Sequence, residues 1–68
     1  MLITPYADSI QKYTNRDPRY VEAFMRVEFG TLDHLTPSRF RREVQIAVAC
    51  IDECGEDMAE DVARSYGF

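Results

Sequence analysis

Residues 36–55 read TPSRFRREVQIAVACIDECG, and this stretch decides the fold. Thr36 followed by Pro37 is a helix start. The threonine hydroxyl can accept from a first-turn N–H, and a first-turn proline loses nothing because its missing N–H has no intrahelical acceptor. Gly55 is the matching stop, since it takes positive φ without strain. Between them Phe40, Val44, Ala47, Val48, Ile51 and Cys54 recur at spacings of three and four, which places them on one helical face. The expected central helix is Pro37–Cys54.

Its middle is broadly apolar. From Val44 to Ile51 only Gln45 is polar, and Ile46 and Cys50 lie four apart on a flank of the main stripe. A helix that is apolar on nearly all sides is normally buried. Either the rest of this short chain wraps that flank, or the flank meets another molecule. Ile46 and Cys50 are therefore candidate partner-binding residues.

The charges on the same helix run against its dipole. Arg39, Arg41 and Arg42 crowd the N-terminal end, and Asp52 and Glu53 the C-terminal end. Each placement costs from a few tenths to about 1 kcal/mol. Two copies packed antiparallel would set the arginine end of one against the acidic end of the other, so a symmetric homodimer through this helix is one expectation. The alternatives are intrachain pairing, with Asp33 or Asp57 for example, and simple solvation.

Helices also precede and follow this one. Thr4-Pro5 repeats the cap-and-proline pattern and predicts a short first helix over residues 5–14, with Tyr6, Ile10 and Tyr13 on one side. Asp17-Pro18 opens a second helix that Gly30 ends. Tyr20, Phe24 and Val27 form one of its stripes; Val21, Met25 and Glu28 form the neighbouring one. Glu22 and Arg26, four apart with the acid first, read as a surface pair. Residues 31–35 are too short for a normal helix and predict a single turn capped by Thr31, with Leu32 and Leu35 pointing into the core. Residues 56–66 predict the last helix, with Met58, Ala59, Val62, Ala63 and Tyr66 on its apolar side. No alternating run of β-branched residues suggests a strand. The expectation is an all-α single domain over 1–68, a small bundle of three main helices plus a short N-terminal one.

Size and composition narrow the function. A chain of 68 residues buries only about 60% of its unfolded surface, so small domains of this kind gain from a staple, a metal or a partner. Net charge is −4, which opposes nonspecific duplex binding and permits a basic or neutral protein partner. The two cysteines are too few for a secreted disulfide scaffold. No basic segment followed by an apolar run marks a signal peptide. The longest apolar run, residues 46–51, is far short of the roughly 20 residues a membrane span needs. A reducing cytoplasm is the expected location.

Candidate chemistry is sparse. Cys50, Cys54 and His34 offer at most three metal ligands where a structural zinc site wants four. His34 has no recognisable nucleophile at a catalytic spacing. No catalytic residue, metal or cofactor is expected. Asp52, Glu53, Glu56, Asp57, Glu60 and Asp61 form an acidic run without an intervening basic residue. Such a run is a solvated face or a docking surface for a basic partner. Arg39, Arg41 and Arg42 around Phe40 form the basic cluster that a phosphate contact would use.

Residues 58–68, MAEDVARSYGF, resemble the opening helix and turn of a helix-turn-helix module. The resemblance covers eleven residues and includes no groove-reading helix, so it implies no DNA-reading residue. In size and composition the chain resembles the small acidic helical inhibitors and adaptors carried by phages and other mobile elements. The leading expectation is a non-enzymatic protein–protein interaction module, adaptor- or inhibitor-like, that binds a larger protein or a second copy of itself. The alternative is a nucleic-acid-associated regulator touching phosphates through Arg39, Arg41 and Arg42.

Overall fold

A computed structural model describes residues 4–68 of the chain. The apolar start expected to pack against the body, residues 1–3, lies outside the described residues. Four helices follow one another: α1 (Ala7–Gln11), α2 (Pro18–Phe29), α3 (Pro37–Cys54) and α4 (Glu56–Ser65). The fold is all-α, and α3 occupies the bounds expected of the central helix.

Local chemistry fixes most of the helix ends. The Thr36 hydroxyl accepts from the Arg39 N–H at 3.2 Å, ahead of Pro37 at the first helical position. Asp17 caps α2 in the same manner, its carboxylate accepting from the Arg19 N–H at 3.0 Å. The Arg19 side chain returns to that carboxylate at 2.8 Å, and these hydrogen bonds hold the Asp17 carboxyl below its ordinary range.

The first helix departs from expectation. It begins at Ala7 rather than residue 5 and ends at Gln11, and no side chain caps it. Thr4 is buried and its hydroxyl has no hydrogen-bond partner among the described residues. Instead, the Tyr6 N–H donates to Glu22 Oε1 at 3.0 Å, across to α2. Glu22 is thus no surface residue. It is fully buried, and its second oxygen accepts from Arg26 Nε and Nη2 at 3.0 and 2.9 Å. The i,i+4 pair is real, but its acid lies in the interior and anchors α1.

The buried side of α2 also differs. Val27, placed on a stripe with Tyr20 and Phe24, is 65% exposed, whereas Val21, Glu22, Ala23 and Met25 are buried. The reason is α4. Its buried residues are Ala59 and Ala63, and together with Ala23 they let the two helices approach closely. Tyr20 meets Glu60 near one end of this pair and Arg26 meets Phe68 near the other, so α4 runs parallel to α2. Met58 and Tyr66, expected on the apolar side of α4, are exposed.

The core gathers Ile10, Val21, Met25, Leu32, Phe40, Val44, Ala47, Ile51 and Ala59. Each fully buried aliphatic among them contributes about 1.5–3 kcal/mol relative to exposure. Tyr6 and Tyr13 pack their rings on Phe40, at centroid distances of 5.9 and 6.3 Å, which seats α1 over the start of α3. Leu32 is buried and Leu35 half-buried, as the single-turn reading requires, and the Leu35 N–H closes that turn on the Leu32 carbonyl.

Two glycines end helices at positive φ. Gly30 follows α2 at φ 73. Gly55 alone separates α3 from α4, at φ 89 and ψ 162, a region essentially reserved for glycine. Its N–H donates to the Ile51 carbonyl and its own carbonyl accepts from Ala59, so one residue finishes one helix and starts the next.

Candidate interaction surface

The residues singled out on α3 and α4 fall into two groups: those already engaged within the chain and those facing outward. Arg39 is engaged. Its Nε donates to Glu43 at 2.9 Å, and its guanidinium lies 5.9 Å from the centre of the Phe29 ring. Glu43 is itself buried, at 6% exposure, so this pair closes the seam between α2 and α3. Asp33 and Asp57, the intrachain acids suggested for the arginines, are not the partners. Asp33 accepts instead from the Tyr6 hydroxyl.

Asp52 is engaged too. It pairs with Arg16, from the segment between α1 and α2, at 2.6 Å. This hydrogen bond, with the charge of Asp52, raises the Arg16 pKa above its ordinary value. Glu60 accepts from the Tyr20 hydroxyl at 2.5 Å and lies 3.5 Å from Arg64. The Tyr20 hydrogen bond holds the Glu60 carboxyl below its usual range, and the same bond pushes the Tyr20 hydroxyl above its own.

Arg41, Arg42, Ile46, Glu53, Glu56, Asp57 and Asp61 remain exposed, with no ion pair among the described residues. Ile46 is 42% exposed. Around it Ser38, Arg41, Arg42, Gln45 and Ala49 line one shallow surface on the outside of α3. The helical rise and turn place Ser38, Arg42, Ala49 and Glu53 along the outermost line, with Ile46 beside it. Ser38, Gln45 and Ala49 were not among the sequence candidates. Their signal was present in the spacing, since Ala49 lies seven residues after Arg42 and four before Glu53. The Gln45 amide donates to the Tyr13 carbonyl at 3.0 Å, so that edge of the surface is tied to the end of α1.

Cys50 is half-buried in a groove between α2 and α3, with Phe24, Glu28 and Phe29 opposite. Cys54, expected on the buried face, is exposed, because α4 leaves Gly55 toward α2 and does not cover the end of α3. Both thiols are free. His34 stands edge-on to Phe29 at 6.1 Å, in the segment between α2 and α3 and away from the cysteines. Among the described residues no three histidine, cysteine or acidic side chains gather closely enough to hold a metal ion. No helix among them is long and apolar enough to cross a membrane.

A second concave region lies where α1 crosses the segment before α3. It is a cleft of about 340 Å³ lined by Tyr6, Lys12, Tyr13, Asp33 and Phe40, among others. Tyr6 and Asp33 already satisfy one another there, and Lys12 is exposed at its rim.

Compared with known protein families, characterised proteins and solved structures, the chain matches none.

Proposed function

We propose that this chain is a small non-enzymatic protein-interaction module, of the adaptor or inhibitor kind, working in a reducing cytoplasm. Its contact surface is the outward face of α3, from Ser38 through Ile46 and Ala49 to Glu53. The exposed acids Glu56, Asp57 and Asp61 at the adjoining part of α4 extend it. One observation carries the reading. On a helix whose opposite side is buried, Ile46 and Ala49 stand exposed between arginines and an acid that have no ion pair among the described residues. An apolar centre with a charged rim is the anatomy of a protein contact.

The acidic surplus supports a protein partner over a nucleic acid. Engagement of Arg39 with Glu43 leaves Arg41 and Arg42 as the arginines of α3 with no ion pair among the described residues. Two phosphate contacts give little affinity at physiological salt. The two free thiols, one turn apart on one helix, fit a reducing compartment.

The test is a tagged pull-down from lysate of the native host, divided into nuclease-treated and untreated halves, with Ile46→Asp alongside the parent. A protein retained after nuclease and lost with Ile46→Asp supports this face. Retention by a folded Ile46→Asp variant moves the contact elsewhere. Loss of every partner on nuclease treatment replaces the reading with the phosphate-contact alternative.

A further inference from the structure

We infer that the occupant of the outward α3 face is a second copy of the same chain, packed antiparallel with Ile46 of one copy on Ala49 of the other. The inference rests on reading that face as an interaction surface. It adds the partner and the register.

The register follows from where the unengaged charges lie. Of the three arginines and two acids at the ends of α3, Arg39 is held by Glu43 and Asp52 by Arg16. What remains outward on the central line is Arg42 at one end and Glu53 at the other. Arg42 lies four residues before Ile46, and Glu53 lies four residues after Ala49. Setting Ile46 against Ala49 in an antiparallel pair therefore brings Arg42 onto Glu53 of the second copy. The two-fold axis repeats that contact at the opposite end. One apolar step and one charge step share a single alignment.

Other arrangements do worse. A parallel pair sets arginine on arginine and acid on acid. An antiparallel slip of one turn takes Arg42 off Glu53 and Ile46 off Ala49. Ala49 itself suits close approach, because its small side chain leaves room for the isoleucine. The same pairing explains why the helix tolerates charges opposed to its own dipole: the second helix presents its dipole in the reverse sense.

The seam is short. Eighteen residues give a helix about 27 Å long, and one such helix pair makes an interface at the small end of the specific range. The expected dimer is weak and forms only at high protein concentration. It strengthens at low salt because its charge contacts lie at an exposed rim.

Sedimentation equilibrium on the full chain, with a reductant present so that the exposed Cys54 cannot cross-link, tests the proposal. The parent chain dimerises as concentration rises toward about 1 mM. Arg42→Glu and Glu53→Arg each weaken association about 10-fold, because symmetry turns two attractive contacts into two repulsive ones. The two single variants mixed in equal amounts associate again, to within about threefold of the parent, since both end contacts then join opposite charges. Far-UV circular dichroism confirms that these surface variants stay folded.

A mixture that stays as monomeric as its separate components overturns the register. A parent chain that remains monomeric at about 1 mM overturns self-association altogether. In that event the pull-down separates the two failures. Loss of a captured protein with Ile46→Asp keeps the α3 face and assigns it another occupant, whereas unchanged capture removes the face as well.

Discussion

Replacing Glu22 by alanine should remove a large part of the stability of this protein. The carboxylate is fully buried and has two duties: it accepts from the Tyr6 N–H at the entry to α1, and it pairs with Arg26. Without it the Tyr6 N–H is left beside the interior with no acceptor, a cost of about 1–3 kcal/mol. Breaking a buried ion pair by deleting one partner costs about 3–5 kcal/mol. Arg26 keeps 24% of its side-chain surface, so water recovers part of that penalty. With the ion-pair cost reduced to about 1–2 kcal/mol on that account, the combined loss is about 3 kcal/mol. Glu22→Gln keeps an amide oxygen for Tyr6 but turns an NH2 donor toward the Arg26 guanidinium, so both Arg26 hydrogen bonds go with the charge, at about 2–3 kcal/mol. A domain of this length has roughly 3–10 kcal/mol in all. Urea unfolding followed by far-UV circular dichroism reads the difference. With a slope of about 1 kcal/mol per molar urea, the midpoint should fall by about 3 M for alanine and about 2–3 M for glutamine. A midpoint for Glu22→Ala within about 0.5 M of the parent would refute the claim that this carboxylate ties α1 to α2.

Other expectations can be checked with the same unfolding assay. Asp52→Ala should move the urea midpoint far less than Glu22→Ala, because its ion pair with Arg16 is largely exposed; a comparable shift would contradict that ranking. Ile51→Ala, at 2% exposure in the core, should cost about 2–5 kcal/mol. Gly55→Ala meets no neighbouring atom within 4 Å, so its expected cost of about 1–3 kcal/mol is backbone strain alone. A neutral result would show that α4 can leave α3 at another angle. The Tyr20–Glu60 hydrogen bond sets a pH window. The Glu60 pKa is lowered in the folded state, so its contribution is present above the ordinary carboxyl pKa and is lost as pH falls through the folded value. The Tyr20 pKa is raised, so its contribution is present below the ordinary tyrosine pKa and is lost as pH rises through the folded value. Urea midpoints measured across pH should therefore decline on both sides of a central plateau, and Tyr20→Phe should flatten both declines.

The central helix was legible because its signals are local. Thr36-Pro37 and Gly55 act within one turn of the chain, and Phe40, Val44, Ala47 and Ile51 need only a period. Asp17-Pro18 was readable for the same reason. Thr4-Pro5 carries the same pattern, yet α1 starts later, because the decisive acceptor is Glu22, sixteen residues away. Nothing local separates a buried Glu22–Arg26 pair from a solvated one; the difference is made by α1 closing over it. The face of α2 was misjudged for a similar cause. Sequence reading favours large apolar residues such as Val27, whereas parallel packing against Ala59 and Ala63 of α4 buries Ala23. On the candidate surface, Ile46, Arg41, Arg42 and Glu53 stand outward, whereas Cys50, on the same flank as Ile46 by spacing, is half-buried between α2 and α3. Arg39 and Asp52 were lost to partners, one four residues along its own helix and the other on a segment the sequence could not bring near.

The joint at Gly55 has a consequence for how the chain tolerates changes of length. With a single residue between α3 and α4, the rotational phase of α4 is locked to that of α3. Adding one residue there would turn α4 by about 100° about its axis. Met58 and Val62 would then take the positions of Ala59 and Ala63, and their larger side chains would not fit the close approach to α2. Residues 30–36 impose no such phase relation. They run through one turn between two helix caps, and there an added residue has slack to disappear into. Insertions and new chain termini should be accepted in that segment and refused at the joint, so the unit inherited intact is the hairpin of α3 and α4.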